Sequence, residues 1–408
     1  MEYEIIRLGR QGDGVAEGPV FAPLTLPQEI VTGVREGVRL REVRIVKPSD
    51  ERVKPGCQHF KACGGCQLQH ASDGFVASWK ADLVASLLSE QGLETEVRPI
   101  MTSPKLSRRR AGFAARRTKR GAMAGLHGRA SDIIVPLQNC DVLHPDVFAG
   151  LGLAKQIATR ASSRKATLSV TVTLSEVGLD VLAKGAKSLN GDLHQDLAKL
   201  AREHDLARLV CDDEPIAVRR PPIQRFGDLA VVPPPGAFLQ ATKHGEETLQ
   251  SLVLDFLADA KTVVDLFAGC GTFALPLAKR SEVLALEGDK AMTAALNHGW
   301  RNNQGLKKVQ ALMRDLFRDP LLAEDLRGFD AAVIDPPRAG AAAQTAELAK
   351  SGIPRIAYVS CDPATFARDA KVLVQAGYDL PWVQPVDQFR WSPHIELVGV
   401  FVRDHKAR

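Results

Sequence analysis

Asp265-Leu266-Phe267-Ala268-Gly269-Cys270-Gly271-Thr272-Phe273-Ala274 follows the apolar run Thr262-Val263-Val264 and opens a helical stretch. Glycines between a strand and a helix let the backbone approach a ligand closely. Glu287 ends the next apolar run, Val283–Glu287, about 20 residues on, where a carboxylate can accept two ribose hydroxyls. This arrangement suits a nicotinamide dinucleotide nearly as well as S-adenosylmethionine, so the loop by itself leaves the ligand open.

Working outward, further runs of strand length follow: Ala331–Ile334, Ile356–Val359 and Ile395–Phe401. Helical stretches separate most of them, which predicts an α/β unit with a mostly parallel, doubly wound sheet. Upstream, Leu249, Leu252, Val253 and Phe256 recur at helical spacing, with Thr242 a candidate cap. Pro233-Pro234-Pro235-Gly236 is a stiff break before this unit, which we take as 236–408. Residues 51–235 read as a central α+β segment that includes the alternating strand Thr167–Leu174. Residues 1–50 hold short strands after glycine-rich turns, a pattern that suits a small β-barrel.

With 408 residues there is room for two or three domains, and 45% hydrophobic with 25% charged residues excludes a disordered tail or a fibre. No run approaches the roughly 18 apolar residues of a membrane helix. The start, Met1-Glu-Tyr-Glu-Ile-Ile-Arg7, lacks the basic end and apolar stretch of a signal peptide, so the cytoplasm is the expected compartment. Nothing demands more than a monomer. The net charge of +5 is mild, but nine basic residues and no acid lie between Lys105 and Arg129. A stretch of one sign is the footprint of phosphate binding; its plain alternative is a solvated face.

Seven cysteines, an odd number without a secretion signal, argue against a disulfide framework. Cys57-x5-Cys63-Gly64-Gly65-Cys66, with distant Cys140, can hold Zn²⁺ or an iron–sulfur cluster. Zinc ribbons usually show two short pairs, so this spacing fits a cluster better. Cys211 reads as a small hydrophobe and Cys270 as packing within the glycine loop.

Three more motifs follow in order. Asp335-Pro336-Pro337-Arg338 holds a polar loop rigidly after a strand. In Ser360-Cys361-Asp362-Pro363 a cysteine directly follows a buried strand, where a thiolate can act as nucleophile. In Phe389-Arg-Trp-Ser-Pro-His394-Ile395-Glu396, Glu396 can serve as a base and His394 can orient a partner. Each alone also fits a surface or turn residue.

Taken together and in this order, these motifs resemble the bacterial RNA 5-methyluridine methyltransferases over nearly the whole chain. More narrowly they resemble the iron–sulfur-containing 23S rRNA uracil-5 methyltransferases with an N-terminal TRAM domain. Gly12-Asp-Gly-Val-Ala16 and Val20-Phe-Ala-Pro-Leu-Thr-Leu-Pro27 carry the TRAM likeness. The resemblance implies methylation of uracil C5 with S-adenosylmethionine as methyl donor. It makes Cys361 the nucleophile and Glu396 the base. It assigns Gln240, Phe267, Thr272, Glu287 and Asp335 to the methyl donor, and Cys57, Cys63, Cys66 and Cys140 to a [4Fe–4S] cluster. It implies an RNA partner, 23S rRNA, with tRNA the alternative. The family often has Asn where Thr242 and Thr272 stand, and Phe389–His394 replaces a more usual Phe-Pro-x-Thr-x-His. Two other readings remain: a catalytically silent iron–sulfur RNA-binding protein, and a nicotinamide dehydrogenase based on the glycine loop alone.

Overall fold

The computed structural model describes residues 1–403, so the last five residues of the expected 236–408 unit lie outside it. At the N-terminus the strands Glu2–Leu8, Gly14–Ala16, Val20–Ala22, Ile30–Glu36 and Arg39–Lys47 close into a barrel. Its core is Ile5, Val20, Ala22, Val31 and Leu40. A second cluster docks the barrel on the rest of the chain, with Leu8 and Leu26 packed against Leu68, Val76 and Trp391.

The middle of the chain forms a seven-stranded sheet whose centre pairs Arg110–Thr118 with Thr167–Ser175 in antiparallel register. The helix Pro145–Ala161 covers it, with Val147, Leu151, Ala154, Ile157, Ala158 and Ala161 buried on one face. Proline at its first position and the His144 cap fix where this helix starts.

The third unit is a nine-stranded sheet. Five parallel strands run in the order Val309–Met313, Glu282–Glu287, Thr262–Leu266, Ala331–Ile334, Arg355–Ser360. Glu396–Val402 then pairs antiparallel with Arg355–Ser360 and with Trp382–Asp387. Alternate residues face two cores: Val264, Ala332 and Ile356 point to one, Val263, Ala331 and Ala357 to the other. Helices Asp73–Glu90 and Pro363–Gln375 cover the first face; Lys243–Phe256 and Lys290–Asn302 cover the second. Chain order reverses between Thr262–Leu266 and Ala331–Ile334, the switch point at whose strand carboxyl ends sheets of this kind bind ligands.

Two sequence readings are corrected. The helix Asp73–Glu90 and the strands Glu96–Val97 and Met101–Thr102 fall in the range assigned to the central segment, yet both strands pair with Trp382–Asp387 in the C-terminal sheet. The basic stretch is not one face. Arg109 is buried against Glu246 at 2.5 Å, Arg129 pairs with Asp13, and only Lys105 and the hairpin tip bearing Arg116, Arg117, Lys119 and Arg120 are exposed. Alternation along a strand sends neighbouring arginines to opposite faces. Among the described residues, no helix is long and apolar enough to cross a membrane.

Candidate active site

Phe267, Thr272, Glu287 and Asp335 lie at or just past the carboxyl ends of three neighbouring parallel strands, and Gln240 lies just before the helix Lys243–Phe256. After Leu266 the chain turns sharply, with φ of +65° at Phe267, +57° at Gly269 and +96° at Gly271. A Cβ at Gly271 would also stand 2.9 Å from Leu275 Cγ, so glycine is required there on both counts. The Phe267 ring packs on Phe317, with centroids 5.3 Å apart. Glu287 Oε2 accepts from Gly269 N–H and braces the loop, while Oε1 accepts from Asp289 N–H two residues on, each at 2.8 Å. Each oxygen keeps a lone pair for a hydroxyl. Thr272 enters through its backbone: its carbonyl accepts from Gln250 Nε2 at 2.8 Å. Thr242 caps the helix Lys243–Phe256 by accepting from Gly245 N–H at 2.9 Å.

Three carboxyls are neighbours here, Asp265 beside Asp335 and Asp335 beside Glu396. Asp265 is buried and neither of its oxygens has a hydrogen-bond partner. Burial, and then the charge of Asp335, push it well above the usual carboxylate range. Burial pushes Asp335 itself up to about 7. Glu396 is buried and raised well above its ordinary value by burial and then by Asp335.

Cys361 and Glu396 meet by strand register. Ser360 pairs with Leu397 in the antiparallel ladder. Cys361 and Glu396 each stand one residue beyond this pair, and they lie near enough for the Glu396 charge to act on the thiol. Burial pushes the Cys361 thiol up to about 12, with Glu396 and then Asp335 adding to it. Cys361 lines a cavity of about 220 Å³ together with Arg338, Asp362 and His394. Partial burial, then Arg338 and Lys80, hold the His394 imidazole below its usual range.

Gln388 was not singled out from the sequence. It is buried, donates to Gln240 Oε1 at 2.5 Å and accepts from Ala241 N–H at 2.7 Å. It also stands beside Glu396, whose charged form it favours. Gln240 in turn donates to Asp335 Oδ2 at 3.5 Å, so one amide links the expected methyl-donor side to the expected base. Its position one residue before Phe389 was the only available signal.

The four expected cluster cysteines surround a second cavity of about 390 Å³, with Arg108 in its wall. Gly65 N–H donates to Cys63 Sγ and Gln69 Nε2 to Cys66 Sγ, each at 3.4 Å. A Cβ at Gly64 would stand 2.9 Å from the His127 carbonyl, so a side chain there would open the loop. Burial pushes Cys66 up to about 12, and Cys140, Cys63 and Cys57 add to it, so the four sulfurs sense one another. One zinc ion would draw four sulfurs to within about 4 Å of each other. Among the described residues, no three Cys, His, Asp or Glu side chains are gathered tightly enough for a single ion.

Fold and site together define a class: a doubly wound α/β enzyme with a glycine loop at the sheet's switch point and a cavity-lining thiol beside a buried carboxyl. Comparison with known proteins narrows it. Residues 234–405 match the family model described as tRNA (Uracil-5-)-methyltransferase. The chain is 42% identical to an uncharacterized RNA methyltransferase of Brucella suis biovar 1 (strain 1330), covering 98% of both. It is 33% identical to the 23S rRNA (uracil(1939)-C(5))-methyltransferase RlmD of Alkalilimnicola ehrlichii, covering 99% of this chain and 96% of that protein. It therefore belongs to the RNA uracil-5-methyltransferase family. Among solved structures, the tRNA (uracil-54, C5)-methyltransferase of Pyrococcus abyssi shares the fold, with a TM-score of 0.77 at 22% identity over 98% of this chain and 100% of that one.

Proposed function

We propose that this chain methylates C5 of a uridine in 23S rRNA, using S-adenosylmethionine and Cys361 as covalent catalyst. The observation that carries the reading is the cavity-lining Cys361 thiol with the Glu396 and Asp335 carboxyls acting on it, just past the Ser360–Leu397 strand pair. The whole-length likeness to a 23S rRNA methyltransferase supports the substrate class.

Uracil C5 is a poor nucleophile. Cys361, a thiol at rest, gives up its proton to solvent as its sulfur adds to C6; the ring becomes an enolate and C5 becomes electron-rich. When bound, S-adenosylmethionine supplies an electrophilic methyl on a sulfonium. Phe267, Glu287, Gln240 and Asp335 would orient that donor, so that C5 could take the methyl while the methyl–sulfur bond breaks and its electron pair stays on the donor's sulfur as a neutral thioether. Glu396 then removes the C5 proton, the electron pair re-forms the C5–C6 double bond, and the C6–S bond breaks to release Cys361. Once ionised, a carboxyl held well above its usual range is a stronger base than an exposed one, which suits this step. The uridine must leave its stack to reach the cavity, which favours loops of folded RNA.

Cys57, Cys63, Cys66 and Cys140 would hold a [4Fe–4S] cluster, in accord with the shared cavity and the N–H···S bonds to two of the sulfurs. Its support would be structural. Gln67 and Leu68, directly after Cys66, donate their N–H groups to the Trp391 carbonyl at 2.8 and 2.9 Å. The cysteine loop is thereby tied to the segment that delivers Glu396.

The test is transfer of labelled methyl from S-adenosylmethionine to unmodified 23S rRNA and, separately, to tRNA, followed by nucleoside digestion. The reading predicts 5-methyluridine from rRNA alone. Label in tRNA alone overturns the substrate, and label in neither overturns the function.

A further inference from the structure

The wall of the Cys361 cavity is not built by the sheet domain alone. Arg10 and Gln11 reach it from the N-terminal barrel and line it together with Arg338. They sit on a tight turn closed by Gly9 N–H to the Asp13 carbonyl (2.7 Å) and Gly12 N–H to the Gly9 carbonyl (2.8 Å). Asp13 pairs with Arg129, and Leu8, one residue before the turn, is packed against Leu68 and Trp391. The turn is thus pinned on both sides while its two central side chains stay at the cavity mouth.

Both arginines at this mouth are lightly held. Arg10 Nη2 lies 2.7 Å from Glu90 Oε2, with both side chains about half exposed (53% and 54%). Arg338 Nε lies 3.3 Å from Asp362 Oδ2 and is 61% exposed. Exposed pairs of this kind contribute little and exchange readily for a better anion. A phosphodiester is such an anion, since guanidinium binds it with two parallel hydrogen bonds. A nucleotide whose base enters this cavity must leave its phosphates at the mouth.

We propose that Arg10 is a positioning residue for the target nucleotide: it leaves Glu90 to hold the phosphate beside the everted base, at the cavity mouth it shares with Arg338. The barrel thereby completes the substrate site, rather than only adding affinity at a distance. This inference rests on the proposed uridine methylation.

The test compares wild type, Arg10→Ala, Arg10→Lys and Glu90→Gln for binding to a 23S rRNA fragment over a range of salt, alongside steady-state methylation. Arg10→Ala is expected to lower the slope of log K against log[salt] by about 0.7, the share of one phosphate contact on single-stranded RNA. It should raise KM for RNA far more than it changes kcat. Arg10→Lys should restore the slope, and Glu90→Gln, which frees the guanidinium, should tighten binding. An unchanged slope in Arg10→Ala, or weaker binding in Glu90→Gln, overturns the inference while wild-type methylation stands. Absence of methyl transfer by the wild type to any uridine-containing RNA overturns the underlying reading with it.

Discussion

Lys80 Nζ lies 2.7 Å from Asp387 Oδ1, and both side chains are buried. The same ammonium donates to the carbonyls of Phe389 (3.4 Å) and His394 (3.1 Å). One cation from the helix Asp73–Glu90 therefore pins both ends of the segment that leads into Glu396. Burial lowers the Lys80 pKa, and Asp387 opposes that shift.

Removing one partner of such a pair leaves the other charge uncompensated. Lys80→Ala should cost about 3–5 kcal/mol in chemical denaturation, and Lys80→Ala with Asp387→Asn should recover part of it. Equal stability of the single and double variants would contradict the pairing.

The Cys361 thiol is held high by burial first and by Glu396 next. A negative neighbour disfavours a thiolate, so removing it must lower the thiol pKa. The midpoint of Cys361 alkylation by iodoacetamide against pH should therefore move down in Glu396→Gln, while methyl transfer is lost. An upward shift or none would mean that the two groups do not act on each other.

Asp265 makes the opposite kind of prediction, about stability. A carboxyl whose folded pKa lies above its unfolded value contributes most at low pH, and that contribution is lost as pH rises through the folded value. Asp265→Asn, melted without added methyl donor, should match wild type near pH 4 and gain on it as pH rises above the unfolded value of about 3.9. A gap that is constant with pH would show that Asp265 does not titrate high.

The cysteine cavity predicts composition. Protein purified without oxygen should carry iron and acid-labile sulfide in equal amounts, both reduced in Cys66→Ser. Gly64→Ala, which drives a Cβ against the His127 carbonyl, should lower both without touching a sulfur. Zinc in place of iron and sulfide would overturn the cluster.

The parts of the fold that repeat locally were legible. The runs at 262, 283, 331, 356 and 395 became strands, and Thr242 caps the helix whose spacing announced it. Trp382–Asp387 was not foreseen, because Pro385 interrupts a run that reads poorly as a central strand. The helix Asp73–Glu90 was missed because a helix buried against another unit need not show a clean apolar stripe. In the site, Cys361 and Glu396 stood out because they end or begin buried strands. Lys80, Gln388 and Arg10 did not, since nothing in their own neighbourhoods marks them. Lys80 acts on a segment some 300 residues away, and Arg10 meets Cys361 only after the barrel docks. The basic stretch misled because charge runs carry no record of which strand face each residue takes.

The central claim is covalent catalysis by Cys361, and the most direct measurement uses 23S rRNA carrying 5-fluorouridine. Fluorine at C5 leaves no proton for Glu396 to remove, so the methylated ring cannot expel the sulfur. The account predicts a stable protein–RNA adduct that depends on S-adenosylmethionine, maps by mass spectrometry to Cys361, and is absent from Cys361→Ala. Methylation of normal RNA by Cys361→Ala, or an adduct at another residue, would contradict it.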